Sequence, residues 1–157
     1  MSLPPSHESL REFLVEHGLI DPDEPVSKRS LRSASLVHAA LHRKVEGAEP
    51  TAAELAVVDE AAREAGLELR FGSEGPRIEP TARGVAGALG HILAAAFLAD
   101  LDGTWQHLKE CSDDTCTSVF YDRSKNHSGK WCSMQSCGNR NKVRAWRVRQ
   151  RTGGPAA

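Results

Sequence analysis

The sequence predicts an α+β protein in two parts. Residues 1–104 are expected to form a mainly helical domain with one short β-hairpin, and residues 105–157 a small treble-clef-like module of a β-hairpin and a helix. Three observations predict this class. Apolar residues recur at helical spacing in several segments of the first part, all four cysteines lie in the second part, and the net charge changes sign between the two.

Three helices are expected before the first hairpin. The first covers residues 6–17 and the second runs from Ser27 or Ser30 to Glu46, each followed by a glycine. The third opens with a capping box, in which Thr51 and Glu54 exchange hydrogen bonds through their side chains and backbone amides. It is expected to end at Gly66.

A hairpin and a fourth helix complete the first part. Residues 67–71 alternate apolar and polar side chains, as a half-buried strand does, and residues 77–79 form the returning strand. The fourth helix begins at Thr81 or Arg83 and ends at Asp102-Gly103, with His91 expected in the core. Its buried side is expected to hold Val85, Leu89, Ile92, Leu93, Ala96 and Phe97.

Composition excludes several classes of protein. No uninterrupted apolar run reaches the roughly 18–20 residues that span a bilayer, and residues 1–5 lack the features of a signal peptide. A cytoplasmic protein with reduced thiols is therefore expected. No nucleophile–base pattern or phosphate loop is present, so an enzyme is not expected. His38 and His42 lie one helical turn apart without an H-E-x-x-H motif, which favours a solvated or half-buried face over a metal pair.

The charge is divided unevenly along the chain. Residues 1–104 carry 10 Lys/Arg against 17 Asp/Glu, a balance of −7, whereas residues 105–157 carry 10 against 4, a balance of +6. The overall net charge of −1 hides this division. An acidic body with a basic end is typical of proteins that bind polyanions.

The cysteines form two pairs, Cys111 with Cys116 and Cys132 with Cys137, and each pair encloses four residues. Two close pairs separated by a hairpin-sized spacer supply four soft ligands, as a tetrahedral zinc site requires. Four thiolates leave no open coordination position, so one structural zinc ion is expected rather than a catalytic one. Two disulfides or four unligated thiols are the alternatives, and a reducing compartment disfavours the disulfides.

The spacer between the cysteine pairs predicts a hairpin. Residues 118–122 are β-prone, residues 126–129 have turn chemistry, and residues 130–132 are expected to return as the second strand.

A basic helix is expected after Cys137. At 100° per residue four of its arginines fall within about 60° of one another, while Val143 and Trp146 are expected to pack on the hairpin near Phe120 or Trp131. No acidic residue follows Cys132, so contact with nucleic acid is favoured over a merely solvated basic face. The candidate nucleic-acid-binding residues are Arg123, Lys125, Lys130, Arg140, Lys142, Arg144, Arg147 and Arg151.

A longer set of residues carries a more specific signal. It comprises Leu108, Lys109, Cys111, Cys116, Phe120–Asp122, Ser124, Asn126, Ser128, Lys130–Met134, Cys137–Arg140, Lys142 and Arg144. This combination resembles the CGNR zinc-finger family. The resemblance implies zinc bound by the four cysteines and a DNA-binding role in a bacterial transcription regulator. In such proteins the finger follows an ABATE domain, a stress-related regulatory region, and residues 6–104 resemble most of that domain without its early strand.

Three residues of the signature tetrapeptide have their own expectations. Gly138 is expected to let the backbone pass close to the metal and to donate its amide to a thiolate. Asn139 is expected to support the site or cap the helix rather than read a base. Arg140 suits a contact with the hairpin and a contact with phosphate equally well.

Other partners fit the same residues. The basic helix could dock on an acidic protein surface, and a second copy's acidic domain would make the chain a homo-oligomeric adaptor. Tyr121 and Trp131 could stack on RNA bases, although both are more simply core residues.

Overall fold

The computed structural model describes residues 7–116 and 118–151. These residues form two compact units, one ending at Trp105 and the other beginning at Gln106. Ser6, the first residue of the predicted first helix, lies outside the described residues. The predicted α+β class is confirmed, with two antiparallel hairpins and a cysteine cluster near the C-terminal end.

The first unit consists of four helices and one hairpin. One core cluster joins all four helices, with Leu10 and Leu14 from the first, Val37 from the second and Ala61 from the third among its buried members. The elements are α1 (His7–Glu16), α2 (Lys28–Val45), α3 (Ala52–Ala65), β1 (Leu67–Gly72), β2 (Gly75–Pro80) and α4 (Gly84–Leu101).

Local chemistry sets the helix ends where the sequence predicts them. The Ser30 amide donates to the Ser27 hydroxyl at the start of α2, at 3.1 Å. At α3 the capping box is complete, because the Thr51 amide donates to Glu54 at 2.7 Å and the Glu54 amide donates to the Thr51 hydroxyl at 3.3 Å. Gly66 then ends α3 with φ of 61°, in the left-handed region that favours glycine.

The first hairpin forms as expected, but it is not half-buried. β1 pairs antiparallel with β2 from Leu67↔Pro80 to Gly72↔Gly75. Leu69 is 67% exposed and Phe71 82% exposed, so the prediction of a buried apolar face is wrong beyond Leu67.

α4 is the core helix of the first unit. Its buried residues run from Val85 to Ala94 and include Leu89 and Leu93. Phe97 is 58% exposed and His91 is exposed, so both predictions of burial are wrong. Phe97 lies beyond Ala94, the last buried residue of the helix, whereas His91 lies within the buried stretch but on the exposed side of the helix.

Among the described residues α4 is also the one helix that is long and apolar enough to cross a membrane. Its 18 residues have a mean hydropathy of 1.6. The expectation from sequence concerned uninterrupted apolar runs, and this helix reaches its length only with His91 and Asp100 included. Length and composition do not separate a membrane helix from a core helix, and 39% of this helix is buried within the protein.

The second unit contains β3 (Leu108–Glu110), β4 (Val119–Tyr121) and α5 (Asn139–Arg151). A single π-helical turn, Met134–Gly138, leads directly into α5. β4 pairs with β3, which precedes the first cysteine pair, so the prediction that residues 130–132 form the second strand is wrong. The chain after β4 turns back because the Asp122 carboxylate accepts the amides of Ser124 and Gly129.

Candidate metal centre

Four separate pieces of backbone bring the cysteines together. Cys111 follows β3, Cys116 lies in the loop between β3 and β4, Cys132 lies in the loop after β4, and Cys137 lies in the π-helical turn. Their four sulfur atoms all lie within 4.8 Å of one another. Cys111 and Cys137 are buried, whereas Cys116 and Cys132 are half-buried.

The sulfur positions fit a tetrahedral metal ion. Cys132 Sγ lies 3.7 Å from Cys116 Sγ and 3.7 Å from Cys137 Sγ. A tetrahedron with zinc–sulfur bonds of about 2.3 Å has edges of about 3.8 Å. A disulfide requires a sulfur–sulfur distance of about 2.05 Å, and all four cysteines are free thiols. The separations of the four sulfur atoms and the chemistry of their thiols are therefore those of a metal site.

The acidities of two thiols show why a cation is needed. Hydrogen bonds from Ser118 lower the pKa of the Cys116 thiol to about 6. Burial, followed by the neighbouring sulfurs, raises the pKa of the Cys132 thiol to about 12. The protein alone thus favours one thiolate but opposes another in the same cluster. A divalent cation allows all four to deprotonate, because metal binding releases their protons.

Besides Ser118 at Cys116, two further groups hydrogen-bond to the sulfurs. The Cys132 amide donates to Cys111 Sγ at 3.5 Å, and the Arg140 guanidinium donates to Cys137 Sγ at 3.1 Å. The second contact raises the pKa of Arg140. Both donors would stabilise thiolate charge.

Gly138 has a packing role instead of the expected hydrogen bond. Its amide donates to the Ser133 carbonyl at 3.0 Å, so the prediction that it donates to a thiolate is wrong. A Cβ at this position would lie 2.8 Å from Met134 Sδ and 3.2 Å from Trp131 Cδ1. Glycine thus leaves room for these two side chains, and a larger residue would require the flexible Met134 side chain to shift.

Asp113 joins the first cysteine loop to α5. Its carboxylate is buried, and it accepts from the Thr115 hydroxyl at 2.6 Å and the Asn141 amide at 2.6 Å. Arg140 Nε lies 3.1 Å from the same carboxylate. The Thr115 hydrogen bond is the largest of several causes that lower the pKa of Asp113. The residue thus stays ionised and fixes the start of α5 against the metal loop.

Asn141 and Asp113 were missed by sequence reasoning. Asn141 also donates to the Cys137 carbonyl, at 3.0 Å, so it links a metal loop and the π-helical turn at once. Asn139 donates to the Gln135 carbonyl at 3.3 Å and is exposed, a local role in the turn that precedes α5. An Asp-x-Thr between two cysteines was the available signal, since it is typical of a side-chain-capped turn.

Asp122 organises the other side of the module. This carboxylate is 3% exposed. It accepts from Lys109 Nζ at 2.7 Å and from the Gly129 amide at 2.8 Å, and the Lys109 contact is the main cause that lowers its pKa. A Cβ at Gly129 would lie 2.6 Å from Asp122 Oδ1. The loop after β4 therefore depends on a glycine and a buried ion pair.

α5 has no buried residue, and its arginines line a shared surface. An open groove along the helix is lined by four of them, Arg140, Arg144, Arg147 and Arg151. The first two are held by acidic residues of the Cys111–Cys116 loop, Arg140 by Asp113 and Arg144 by Asp114 at 2.5 Å. The absence of acids within the helix therefore did not exclude pairing.

The remaining candidate cations differ from these two arginines. For Arg123, Lys125, Lys130, Lys142, Arg147 and Arg151, no ion pair is found within residues 7–116 and 118–151. All six side chains are exposed. These side chains are available to an anionic partner.

The apolar residues of α5 are also exposed. Val143 is 47% exposed and Trp146 55% exposed, so the prediction that they pack on the hairpin is wrong. The two residues share this exposure with their neighbours, because every described residue of the helix after Asn141 is exposed. Val143 lines the arginine groove itself. The helix thus presents a mixed cationic and apolar surface.

Comparison with known families agrees with this architecture. A small cysteine-cluster module that ends in an exposed basic helix is of the zinc-finger class. Residues 107–150 match the CGNR zinc finger, and residues 3–104 match the ABATE family, described as "Putative stress-induced transcription regulator". The chain belongs to this family and carries the ABATE domain followed by the CGNR finger. No curated protein matches the chain.

Proposed function

We propose that this protein is a DNA-binding transcription regulator of the cytoplasm. One structural zinc ion, held by Cys111, Cys116, Cys132 and Cys137, orders the second unit and supports α5. The arginine groove of α5 then contacts the phosphate backbone. The observation that supports this most strongly is the row of four arginines on a helix that has no buried residue. No catalytic role is proposed for any residue.

The charges of the module suit a polyanion. Arg147 and Arg151 lie in the groove, and Arg123, Lys125, Lys130 and Lys142 extend the cationic surface. Arginine forms bidentate hydrogen bonds with phosphate oxygens. Arg140 and Arg144 already have acidic partners, so their guanidinium groups orient the helix and contribute less to phosphate binding.

The test is a salt titration of DNA binding by the zinc-loaded full chain. Sequences selected from a random duplex pool would serve as the target. For every phosphate neutralised, the logarithm of the binding constant should fall by about 0.9 for each tenfold rise in salt. Arg147→Ala should make this slope shallower by about 0.9, the contribution of one phosphate contact. Arg32→Ala, an exposed arginine of α2, is the matched control and should leave the slope unchanged. Binding that is absent, or indifferent to salt, would contradict the proposal.

The exposed Trp146 favours a second candidate, a protein adaptor. Tryptophan and arginine are the residue types most enriched at the centres of protein interfaces. An acidic protein surface could contact the groove and Trp146 together. Salt-sensitive association with an acidic protein, without affinity for DNA or RNA duplexes, would support the adaptor and exclude the regulator.

A further inference from the structure

The β1–β2 hairpin has one apolar face and one charged face. Leu67, Leu69 and Phe71 of β1 lie opposite Pro80, Ile78 and Pro76 of β2, and side chains on a strand alternate between faces. Leu67 packs against the core cluster, but Leu69 and Phe71 are 67% and 82% exposed. The outer half of this face therefore has no cover within the described residues.

The two edges of the hairpin differ in their backbone. A two-residue turn makes Gly72 and Gly75 a hydrogen-bonded pair. Along an antiparallel ladder such pairs alternate with pairs whose backbone groups face away from the partner strand. The backbone groups of Leu67, Leu69 and Phe71 therefore face away from β2. On the opposite edge the outward positions are Pro76, Ile78 and Pro80, and proline has no N–H to donate. β1 is the edge that can accept another strand.

The charged face has a pairing problem that a second β1 would relieve. Within the hairpin, Glu68 lies opposite Glu79 and Arg70 lies opposite Arg77. Like charges directly opposite each other destabilise a sheet. Glu68 pairs with Arg70 at 2.8 Å and Arg77 with Glu79 at 3.1 Å, each within its own strand, and these side chains are 45% to 58% exposed. Such ion pairs at the surface contribute little to the stability of the fold.

We propose that two copies of this chain associate through antiparallel pairing of their β1 strands, centred on Leu69. Two hairpins then form one four-stranded sheet. The outward backbone groups at 67, 69 and 71 are the ones that this register uses. Glu68 of each copy faces Arg70 of the other, so two opposite-charge pairs form across the new ladder.

The apolar face is self-complementary in the same register. Leu69 lies opposite its own counterpart, and the exposed Phe71 lies opposite Leu67 of the other copy. Since Leu67 already contacts its own core cluster, Phe71 is placed at the rim of the other copy's core. An unrelated strand would satisfy the backbone edge, but only a second β1 satisfies the charges and the apolar face together. This inference is independent of metal and DNA binding.

Sedimentation equilibrium of the full chain at several concentrations tests the proposal. The wild type should be a dimer. Glu68→Arg alone places arginines opposite arginines, and Arg70→Glu alone places glutamates opposite glutamates. Each variant should raise the dissociation constant by about tenfold or more, because two attractive pairs become two repulsive ones.

The charge pattern also predicts that combining the two substitutions restores dimer formation. An equimolar mixture of the Glu68→Arg and Arg70→Glu variants should form heterodimers, because every cross-strand pair is then of opposite charge. The double variant Glu68→Arg/Arg70→Glu should dimerise like the wild type. Far-UV circular dichroism checks that each variant is folded. A monomeric wild type, single variants that remain dimeric, or a mixture that does not associate would each overturn the proposal.

Discussion

At the scale of single residues, two buried carboxylates shape the metal module as much as its cysteines do. Asp113 connects the Cys111–Cys116 loop to α5 through Arg140 and Asn141, and Asp122 closes the loop after β4. A buried charge that has lost its partners is costly, so each aspartate depends on the donors around it. The metal ligands can bind an ion, but Asp113 fixes the start of α5 and Asp122 fixes the loop after β4.

Replacement of Asp113 separates the positioning of α5 from the binding of the metal ion. Asp113→Asn removes the charge that pairs with Arg140 and places an amide against the donor of Asn141. The melting temperature of the module should fall by several degrees while zinc remains bound, which thermal unfolding and metal analysis would measure together.

Asp114→Asn is the matched control, because it makes the same chemical change one residue away. Asp114 is 73% exposed and contacts Arg144 at the surface. Such a pair adds little stability, so the melting temperature should stay within about 1 °C of the wild type. If α5 contacts phosphate, this variant should bind DNA slightly more tightly, because Arg144 loses a competing anion. Equal destabilisation by both variants would show that Asp113 has no special role.

The cysteine ligands could be predicted from the sequence because soft ligands in two spaced pairs leave few alternatives. Asp113 and Asp122 could not, since an aspartate in a polar loop looks the same whether it is solvated or buried. Their burial depends on donors 13 to 28 residues away, Lys109 for Asp122 and Asn141 for Asp113.

At the scale of elements, helix ends were predicted well and packing was not. Caps are local, so Ser27, Thr51 and Gly66 mark the ends of α2 and α3 in sequence and in structure. β3 was missed because a three-residue strand carries too little pattern to be recognised. Whether an apolar side chain is buried depends on what lies opposite, and periodicity cannot show that for Phe71, Phe97 or Trp146.

The capping box of α3 predicts a pH dependence. The Thr51 amide hydrogen bond lowers the pKa of Glu54, so this carboxylate stabilises the folded state above its unfolded pKa. That contribution should be lost as pH falls through the lower folded value. Glu54→Gln should therefore melt a few degrees below the wild type at pH 7, and the difference should shrink as pH falls below the unfolded pKa of about 4.3 and vanish once pH is below the lowered folded pKa. Thermal unfolding followed by circular dichroism measures it.

Glu60→Gln is the control on the same helix, since Glu60 lies outside the box and pairs only with Arg63 at the surface. Its difference from the wild type should be small at both pH values. A Glu54→Gln difference that persists unchanged in acid would mean that the carboxylate charge does not stabilise α3.

The exposed tryptophan of α5 separates a binding role from a structural one. Because Trp146 is 55% exposed, Trp146→Ala should change the unfolding free energy by no more than about 0.5 kcal/mol. Its affinity for DNA should nevertheless fall by about tenfold, because an exposed tryptophan on the cationic helix offers a large contact surface to a partner. Unchanged affinity with lowered stability would reverse this assignment.

At the scale of the whole molecule, the two units are expected to respond differently to metal removal. The first unit has a core cluster drawn from four helices, whereas α5 in the second has no buried residue and begins at the metal cluster. Binding energy in small zinc modules is also folding energy. Chelation should therefore make residues 108–151 sensitive to protease while α1–α4 stay helical. Protease resistance of both units after complete metal removal would contradict this.

The division of charge was visible at this scale from the sequence alone, because a net charge needs no structure to be counted. The open edge of β1 was not visible, since it depends on which backbone groups face outward in the observed register. The row of four arginines on α5 was predicted from helical spacing, but the pairing of Arg140 with Asp113 and of Arg144 with Asp114 was not.

The account depends most on a closed tetrathiolate metal site. X-ray absorption at the zinc edge, on the purified full chain, tests it directly. It should show one zinc per chain with four sulfur neighbours at about 2.3 Å and no nitrogen or oxygen ligand. Protein without bound zinc, or zinc with mixed ligands, would contradict the account.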